Sequence, residues 1–307
     1  MDISSIILVV LGLFLFETIS SIDNAVVNAD VLSTMEKRYR KWFLIWGILI
    51  AVFLVRGLLP WFIVWLANPS LGPIGAFQGT FSNDPEIMAS VEKSSPLLLI
   101  AGGIFMLFLF LHWLFLEPKH FGLAGERFFS RQGAWFFAIV SILLLVIIWY
   151  ALKKETMMAF AAAIGSSVFF IVHGFREYAH QFERQMLGAK NHLSNVSKLM
   201  YLEVLDASFS IDGVVGAFAF TLSVPLIILG NGLGAIVVRQ LTIKGVDKIK
   251  KYFYLKNGAM YSIFFLGLVM LLKSFGVEIP EYVSPFIASF VIAFFFLKST
   301  RELKNHL

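Results

Sequence analysis

Two stretches of the sequence place acidic and hydroxyl side chains inside otherwise apolar runs. The first is FETISSIDNAVVNAD, Phe16 to Asp30, and the second is YLEVLDASFSIDGVVGAFAF; both contain the order acid-x-x-x-Ser-Ile-Asp. The candidate ligands of the two stretches are Glu17, Ser21, Asp23 and Asn24, and Glu203, Asp206, Ser210 and Asp212. Hard divalent cations prefer carboxylate, amide and hydroxyl oxygens, so the pattern predicts a site for Mn²⁺, Ca²⁺ or Mg²⁺.

Five carboxylates of these stretches are expensive to place in a membrane: Glu17, Asp23, Glu203, Asp206 and Asp212. A charge at the centre of a membrane helix costs roughly 2.5–3.5 kcal/mol on insertion scales, so five cost on the order of 10 kcal/mol. A polar network without acids would join helices at a lower cost. We therefore expect these acids to be protonated, paired or bound to cations. The helix predicted after each stretch carries a lone arginine, Arg56 and Arg239, and we expect both to pair with carboxylates and orient them. Two arginines do not balance five carboxylates, so a metal ion, protons or each in turn must make up the difference.

Composition predicts that these segments cross a bilayer. The chain is 58% hydrophobic and 15% charged, whereas soluble domains are about 45–50% apolar and about 25% charged. It has no cysteine, which excludes disulfides, thiolate metal sites and thiol relays. The net charge of +5 comes from Lys and Arg in short loops and does not indicate nucleic-acid binding. The sequence therefore predicts an all-α polytopic protein of the cell (inner) membrane, in contact with the lipid bilayer.

Nine apolar runs approach the roughly 20 residues that cross a bilayer. They are 3–33, 42–66, 96–117, 133–152, 156–175, 197–221, 224–243, 253–273 and 282–298. Eighteen Lys and Arg fall in the odd loops and the C-terminal tail, against four in the even loops. This bias predicts an external N-terminus and a cytoplasmic C-terminus. We expect the external loop 67–95 to be a solvated cap, and the small-residue run 159–167 to be a close helix-packing face.

The two acidic stretches belong to an internal repeat. Glu17 and Asp206 are 189 residues apart, and the two arginines 183. The stretches lie in the first and sixth runs, an odd offset of five, so the second enters the membrane from the opposite side. The predicted organisation is one membrane domain, 1–307, with a first repeat, two connecting helices, a second inverted repeat and a last helix: 3–117, 133–175, 197–273 and 282–298. Inverted repeats around a midplane site are typical of secondary transporters.

Helical geometry predicts an interruption in each acidic helix. At 100° per residue, Asp23 and Asp212 lie out of line with the other polar residues of their helices. We expect both helices to be unwound or kinked around Ser-Ile-Asp, which would free backbone carbonyls as further ligands. His112 and His173 each lie in an apolar helix, and we expect each to be a buried or interfacial histidine rather than a ligand.

Several of these motifs resemble a known family. FETISSIDNAVV, LEVLDASFSIDG, VVRQLT and YLKNGAMYSIFFLGLVMLLKSF are similar to the TerC-like integral membrane proteins, within the LysE-type transporter group. The resemblance covers most of the chain, and 5–66 and 197–290 most clearly. It implies manganese export or divalent-metal homeostasis, with acidic-motif residues at Glu17, Asp23, Asn24, Asp206 and Asp212. Gly213 in the position of Asn24, and the additional acid Glu203, depart from the pattern.

The leading hypothesis is a secondary transporter, an exporter, of a divalent cation that alternates with protons on the carboxylates. It requires no catalytic residue and no cofactor. A membrane phosphatase acting on a lipid phosphate would gather bases, whereas the acids here outnumber the arginines five to two. A membrane assembly factor with a vestigial ion site is the third reading. The sequence leaves open the metal, the coupling to protons and the formation of a homodimer.

Overall fold

The chain is all-helical wherever its structure is described. The computed structural model describes residues 2–47, 50, 56–67, 69–81, 85–119, 122–188, 194–244 and 251–305. The α-helices in these ranges are α1 (Ile3–Ser20), α2 (Ile22–Ser33), α3 (Lys37–Trp42), α4 (Arg56–Ala67), α5 (Gly72–Phe81), α6 (Pro85–Leu116), α7 (Ala124–Phe129), α8 (Ala134–Lys154), α9 (Thr156–Gly188), α10 (Asn195–Ala217), α11 (Val224–Lys244), α12 (Leu255–Ser274) and α13 (Val283–Asn305). A π-helix, Phe43–Gly47, follows α3, and a 3₁₀ turn, Pro69–Leu71, precedes α5.

Seven of the described helices are long and apolar enough to cross a membrane: α1, α6, α8, α9, α11, α12 and α13. The chain is therefore a multi-pass membrane protein by length and composition, as the sequence predicts. The predicted span 42–66 falls partly outside the described residues. The predicted span 197–221 corresponds to α10, whose three acids keep it out of these seven. A total of nine spans stays a prediction.

The interruption predicted at Ser-Ile-Asp occurs in the first stretch and not in the second. Ser21 separates α1 from α2, with φ −90° and ψ 6°. The helical hydrogen bonds pass over this break, from Ser21 N to Glu17 O and from Ala25 N to Ser21 O. In contrast, α10 runs unbroken through the second motif. The predicted interruption is thus present at Ser21 in the first copy, where these two carbonyls are nevertheless not freed, and it is absent from the second.

The region predicted as an external loop, 67–95, is largely helical where it is described. It contains the 3₁₀ turn, α5 and the first turns of α6. The third apolar helix therefore begins at Pro85 rather than near residue 96, and Pro96 lies inside it. Pro85 suits the first turn of α6, because the N–H that proline lacks would have no partner inside the helix at that position. The indole of Trp61 in α4 donates a hydrogen bond of 2.9 Å to the carbonyl of Pro73, which ties α5 to α4.

Helix α6 is the centre of the packing, because it contacts both α9 and α12 extensively. Gly103 of α6 and Gly267 of α12 face each other at one crossing. A Cβ added to either would lie 3.1 or 3.2 Å from the carbonyl oxygen of the other. At the second crossing, a Cβ on Gly165 of α9 would lie 2.2 Å from the carbonyl oxygen of Ala101. The close packing predicted for 159–167 is therefore confirmed.

Replacing Gly165 by alanine is expected to destabilise the protein by about 1–3 kcal/mol, as overpacking of a core does. The obstacle is the backbone of α6, which cannot move aside as a flexible side chain can. The measurement is the thermal unfolding midpoint of the purified protein in detergent. Gly174→Ala on the same helix is the matched control, because a Cβ there meets nothing within 4 Å. Equal midpoints for the two variants would contradict the close crossing.

Candidate functional site

Glu17 of α1 is a fully buried carboxylate with an arginine partner. The guanidinium of Arg56 in α4 pairs with its Oε1, and the hydroxyl of Ser21 donates to the same oxygen at 2.9 Å. Two glycines make room for the carboxylate. A Cβ on Gly213 of α10 would lie 2.2 Å from Oε2, and one on Gly234 of α11 would lie 2.7 Å from the Glu17 Cβ. The sequence thus places small residues on the two helices that face this acid.

Asp206 of α10 is the second buried carboxylate with an arginine partner. Arg239 of α11 contacts its Oδ2 at 3.3 Å, and the side-chain amide of Asn24 in α2 donates to its Oδ1 at 2.5 Å. Ser210 donates instead to the backbone carbonyl of Asp206, at 2.8 Å, within the same helix. The structure therefore brings Asn24 and Asp206 together across the two motifs, whereas the Ser210 hydroxyl bonds inside α10.

The two motifs contact each other reciprocally. Asn24 and Gly213 both follow Ser-Ile-Asp directly. Asn24 bonds to Asp206, the leading acid of the second motif, and Gly213 lies against Glu17, the leading acid of the first. In each motif the leading acid also pairs with the arginine that follows it in the chain. The expected role of the two arginines is confirmed.

Asp212 faces a different neighbour from Asp206, which explains why it is out of line on a straight helix. It is buried and pairs with Arg176 of α9, Nη1 to Oδ2, at 2.8 Å. Nη2 of the same arginine donates to the carbonyl of Ser208 at 2.8 Å. The apolar run ends at 175, which places Arg176 in a predicted loop, whereas in the structure α9 continues to Gly188. The count of two arginines beside the five acids is therefore too low, since three arginines pair with them in the described residues.

Of the two remaining acids of the motifs, the structure describes the side chain of Glu203 but not that of Asp23. Asp23 lies in α2, and its side chain is outside the described residues. Glu203 is half-buried on α10, and neither of its carboxylate oxygens has a hydrogen-bond partner in the described chain. A Cβ on Gly47 would lie 2.4 Å from Glu203 Oε1 and 2.9 Å from Arg239 Nη2, so the two charges are neighbours. The Arg239 guanidinium also lies 4.0 Å from the centre of the Phe43 ring, which supports its position.

The motifs and the helix beside them, α11, carry an excess of buried acceptor atoms. Seven oxygens lack a hydrogen-bond donor in the described residues: Glu17 Oε2, Asn24 Oδ1, Asn28 Oδ1, Glu203 Oε1 and Oε2, Asp212 Oδ1 and Asn231 Oδ1. Buried polar atoms are normally partnered, so such a concentration calls for a cation or water. Among the described residues, no three His, Asp or Glu side chains lie close enough together to bind one metal ion. The predicted ligands are thus brought near each other but are divided among ion pairs.

Two cavities lead into the helix bundle from opposite ends of α6. The first, of about 670 Å³, extends from Glu117 and Lys256 at its mouth to Asp212 and Ser20. Its mouth residues form an ion pair of 2.6 Å. The second, of about 570 Å³, is lined by Glu92, Phe218, Phe220, Lys273, Glu278 and Glu281, among others. Phe220 packs on Phe16, with ring centres 5.8 Å apart. The first cavity thus reaches the motif acid Asp212, and the second is lined by Phe220 on the side of the bundle interior.

The family model described as a protein of unknown function, DUF475, matches residues 22–306. The chain belongs to the DUF475 family. The matched region of this DUF475 protein includes both arginines that follow the motifs and the whole second motif. No curated protein and no solved structure matches the chain at a significant level. The resemblance to TerC-like proteins stays a prediction.

Breaking the Glu17–Arg56 pair is expected to cost about 3–5 kcal/mol, because either single change leaves a buried charge without its partner. Glu17→Gln and Arg56→Gln together should cost less than the sum of the two single changes. The free energies of unfolding in mixed micelles give this coupling energy.

The matched control for this cycle is the half-exposed pair Glu117–Lys256, at the mouth of the first cavity. An exposed pair is expected to couple by only about 0.2–1 kcal/mol. A coupling for Glu17–Arg56 no larger than this control would show that the buried pair does not stabilise the fold.

Proposed function

We propose that this protein is a secondary transporter, an exporter, of a divalent metal cation, with Mn²⁺ and Ca²⁺ as the leading candidates and Mg²⁺ as a third. The observation that carries the proposal is the set of seven buried oxygens without donors on α1, α2, α10 and α11. Carboxylate and amide oxygens are the ligands that such ions take. The resemblance of the motifs to TerC-like proteins supports the same reading.

The charges of the motifs favour a divalent ion. Five acids, among them Asp23, stand against three arginines, Arg56, Arg176 and Arg239, which leaves a formal charge of −2. One divalent cation or two protons would balance this charge in a low-dielectric site. Metal and protons would then occupy the carboxylates in turn, as an exchange mechanism requires.

Metal binding in this mechanism requires a rearrangement. Glu17, Asp206 and Asp212 each pair with an arginine, and the described residues contain no convergent group of three ligands. A carboxylate must therefore exchange its arginine for the metal. The arginines would hold the carboxylates in place while no metal is bound, which avoids the cost of an unpaired buried charge.

The architecture proposed for this mechanism is a pair of inverted three-helix repeats, 3–117 and 197–273, among about nine spans. The reciprocal contacts Asn24–Asp206 and Gly213–Glu17 support a two-fold relation between the motifs. The reciprocal glycine contact between α6 and α12, each the third long helix of its repeat, supports it as well. The distribution of Lys and Arg supports an external N-terminus in the inner membrane.

The cavities fit one state of an alternating-access cycle. The first reaches Asp212 from the end of α6 where Glu117 lies, the end proposed to be cytoplasmic. The second stops at Phe218 and Phe220, on the proposed external side. We infer an inward-open conformation, from which an exporter would load its ion. A phosphatase gains no support, because the three buried arginines beside the motifs are engaged by carboxylates.

Asp212→Asn and Asp23→Asn are each expected to abolish flux of Mn²⁺ or Ca²⁺ into or out of proteoliposomes, because each removes one charge from the proposed site. Asp212→Asn also leaves Arg176 without its carboxylate partner and should lower the unfolding midpoint, so gel filtration at the assay temperature must show that both variants are folded. Asp30→Asn, at the exposed end of α2, is the matched control and should transport normally. Flux that persists in either motif variant would contradict the mechanism. A wild-type protein that moves no ion but binds a membrane partner would favour an assembly factor.

Cysteine labelling tests the two cavities, because the chain has no cysteine of its own. Ser20→Cys in the first cavity and Leu222→Cys in the second should react with a membrane-impermeant maleimide from opposite sides of a vesicle, Ser20→Cys from the cytoplasmic side. Leu266→Cys, at a buried position, is the control and should not react from either side. Labelling of Ser20→Cys and Leu222→Cys from one and the same side would contradict the proposed state.

A further inference from the structure

Two histidines from distant parts of the chain meet in the first cavity. His112 lies on α6 and His173 on α9, and their ring centres are 3.8 Å apart. Both line the cavity that ends at Asp212. Aromatic rings hold both imidazoles from behind: Phe136 meets His112 edge-on at 5.6 Å, and Phe169 stacks on His173 at 5.7 Å. Both imidazoles are therefore packed against aromatic rings on one side of the cavity.

The nitrogens of this pair are not committed to the protein. In the described residues, neither His112 nor His173 makes a hydrogen bond to another side chain or to the backbone. A neutral imidazole carries one acceptor nitrogen, which is the atom that binds transition metals. Two such nitrogens at the surface of a single cavity are available to an ion that enters it.

The charges around the pair favour a cation. Glu117 pairs with Lys256 at the mouth, and Arg176 pairs with Asp212 at the inner end, so these four groups cancel. Glu177 of α9 also lines the cavity and is exposed, which leaves a formal charge of −1. A cation in this cavity thus has two imidazoles and a net negative charge among the groups that line it.

We propose that His112 and His173 form a weak binding site for a first-row transition-metal ion, such as Co²⁺ or Zn²⁺, with water completing the coordination. Imidazole suits these ions and does not suit Ca²⁺ or Mg²⁺. The protein supplies two ligands, and the described chain has no group of three, so binding is weak and reversible. The site does not depend on the proposed transport, since binding is measured without flux.

The test is a titration of the purified protein in detergent with Co²⁺, followed by visible absorption and by equilibrium dialysis. Wild-type protein should bind Co²⁺, and Ca²⁺ and Mg²⁺ should not displace it. His112→Gln and His173→Gln should each weaken binding by roughly tenfold or more, since they remove a ligand outright. Met260→Leu, which changes the lining of the same cavity without removing a nitrogen, is the matched control and should bind as wild type does.

A second measurement needs no variant: Zn²⁺ should slow the modification of both histidines by diethyl pyrocarbonate in the wild-type protein. Undiminished Co²⁺ binding in the double variant would overturn the site. So would a shift in the pH dependence of flux without any change in metal binding, which would assign the pair to proton transfer. If the protein binds Co²⁺ through the histidines but transports no ion, the result supports this site and contradicts the proposed function.

Discussion

The buried pairing of carboxylate with arginine is the constraint that shapes this protein. An ionised acid inside an apolar helix bundle is tolerated only with a partner and with room for its oxygens. Arg56 and Arg239 supply the partners for the leading acid of each motif. Glycine supplies the room, because Gly213 and Gly234 lie where a side chain would collide with Glu17. The small residues of α10 and α11 thus follow from the charge on α1.

The same pairs also explain how an oxygen-rich site can exist without a ready-made metal cluster. A carboxylate that pairs with arginine through one oxygen can leave its second oxygen without a donor. Glu17 Oε2 and Asp212 Oδ1 are two such oxygens. Glu203, beside Arg239, keeps both. Partner exchange between arginine and a cation then changes the charge pattern without leaving an acid unpaired. The proposed transport requires a second arrangement, in which a cation replaces the arginine.

The sequence predicts what is local and misses what depends on neighbours. The membrane character, the acidic motifs, the break at Ser21 and the packing at Gly165 follow from composition and spacing. Arg176 was missed because an apolar run marks where lipid contact ends, while α9 continues past it as helix. The sequence does not predict that α10 is straight. An acid out of line with its neighbours, such as Asp212, indicates either a bent helix or a partner on another helix, and periodicity does not distinguish the two. The meeting of His112 with His173 depends on how α6 packs against α9.

The two kinds of helix contact in this bundle differ in what they permit. Where α6 crosses α9 and α12, glycine stands against a backbone carbonyl, and no side chain can adjust to a shift. Packed interfaces of this kind move as units. Where α2 meets α10 and α4 meets α1, the contacts are polar, and several buried oxygens of the motifs lack a donor in the described residues. Polar groups can exchange partners at small displacement. The backbone crossings of α6 therefore leave less room for adjustment than the side-chain contacts around the acidic motifs do.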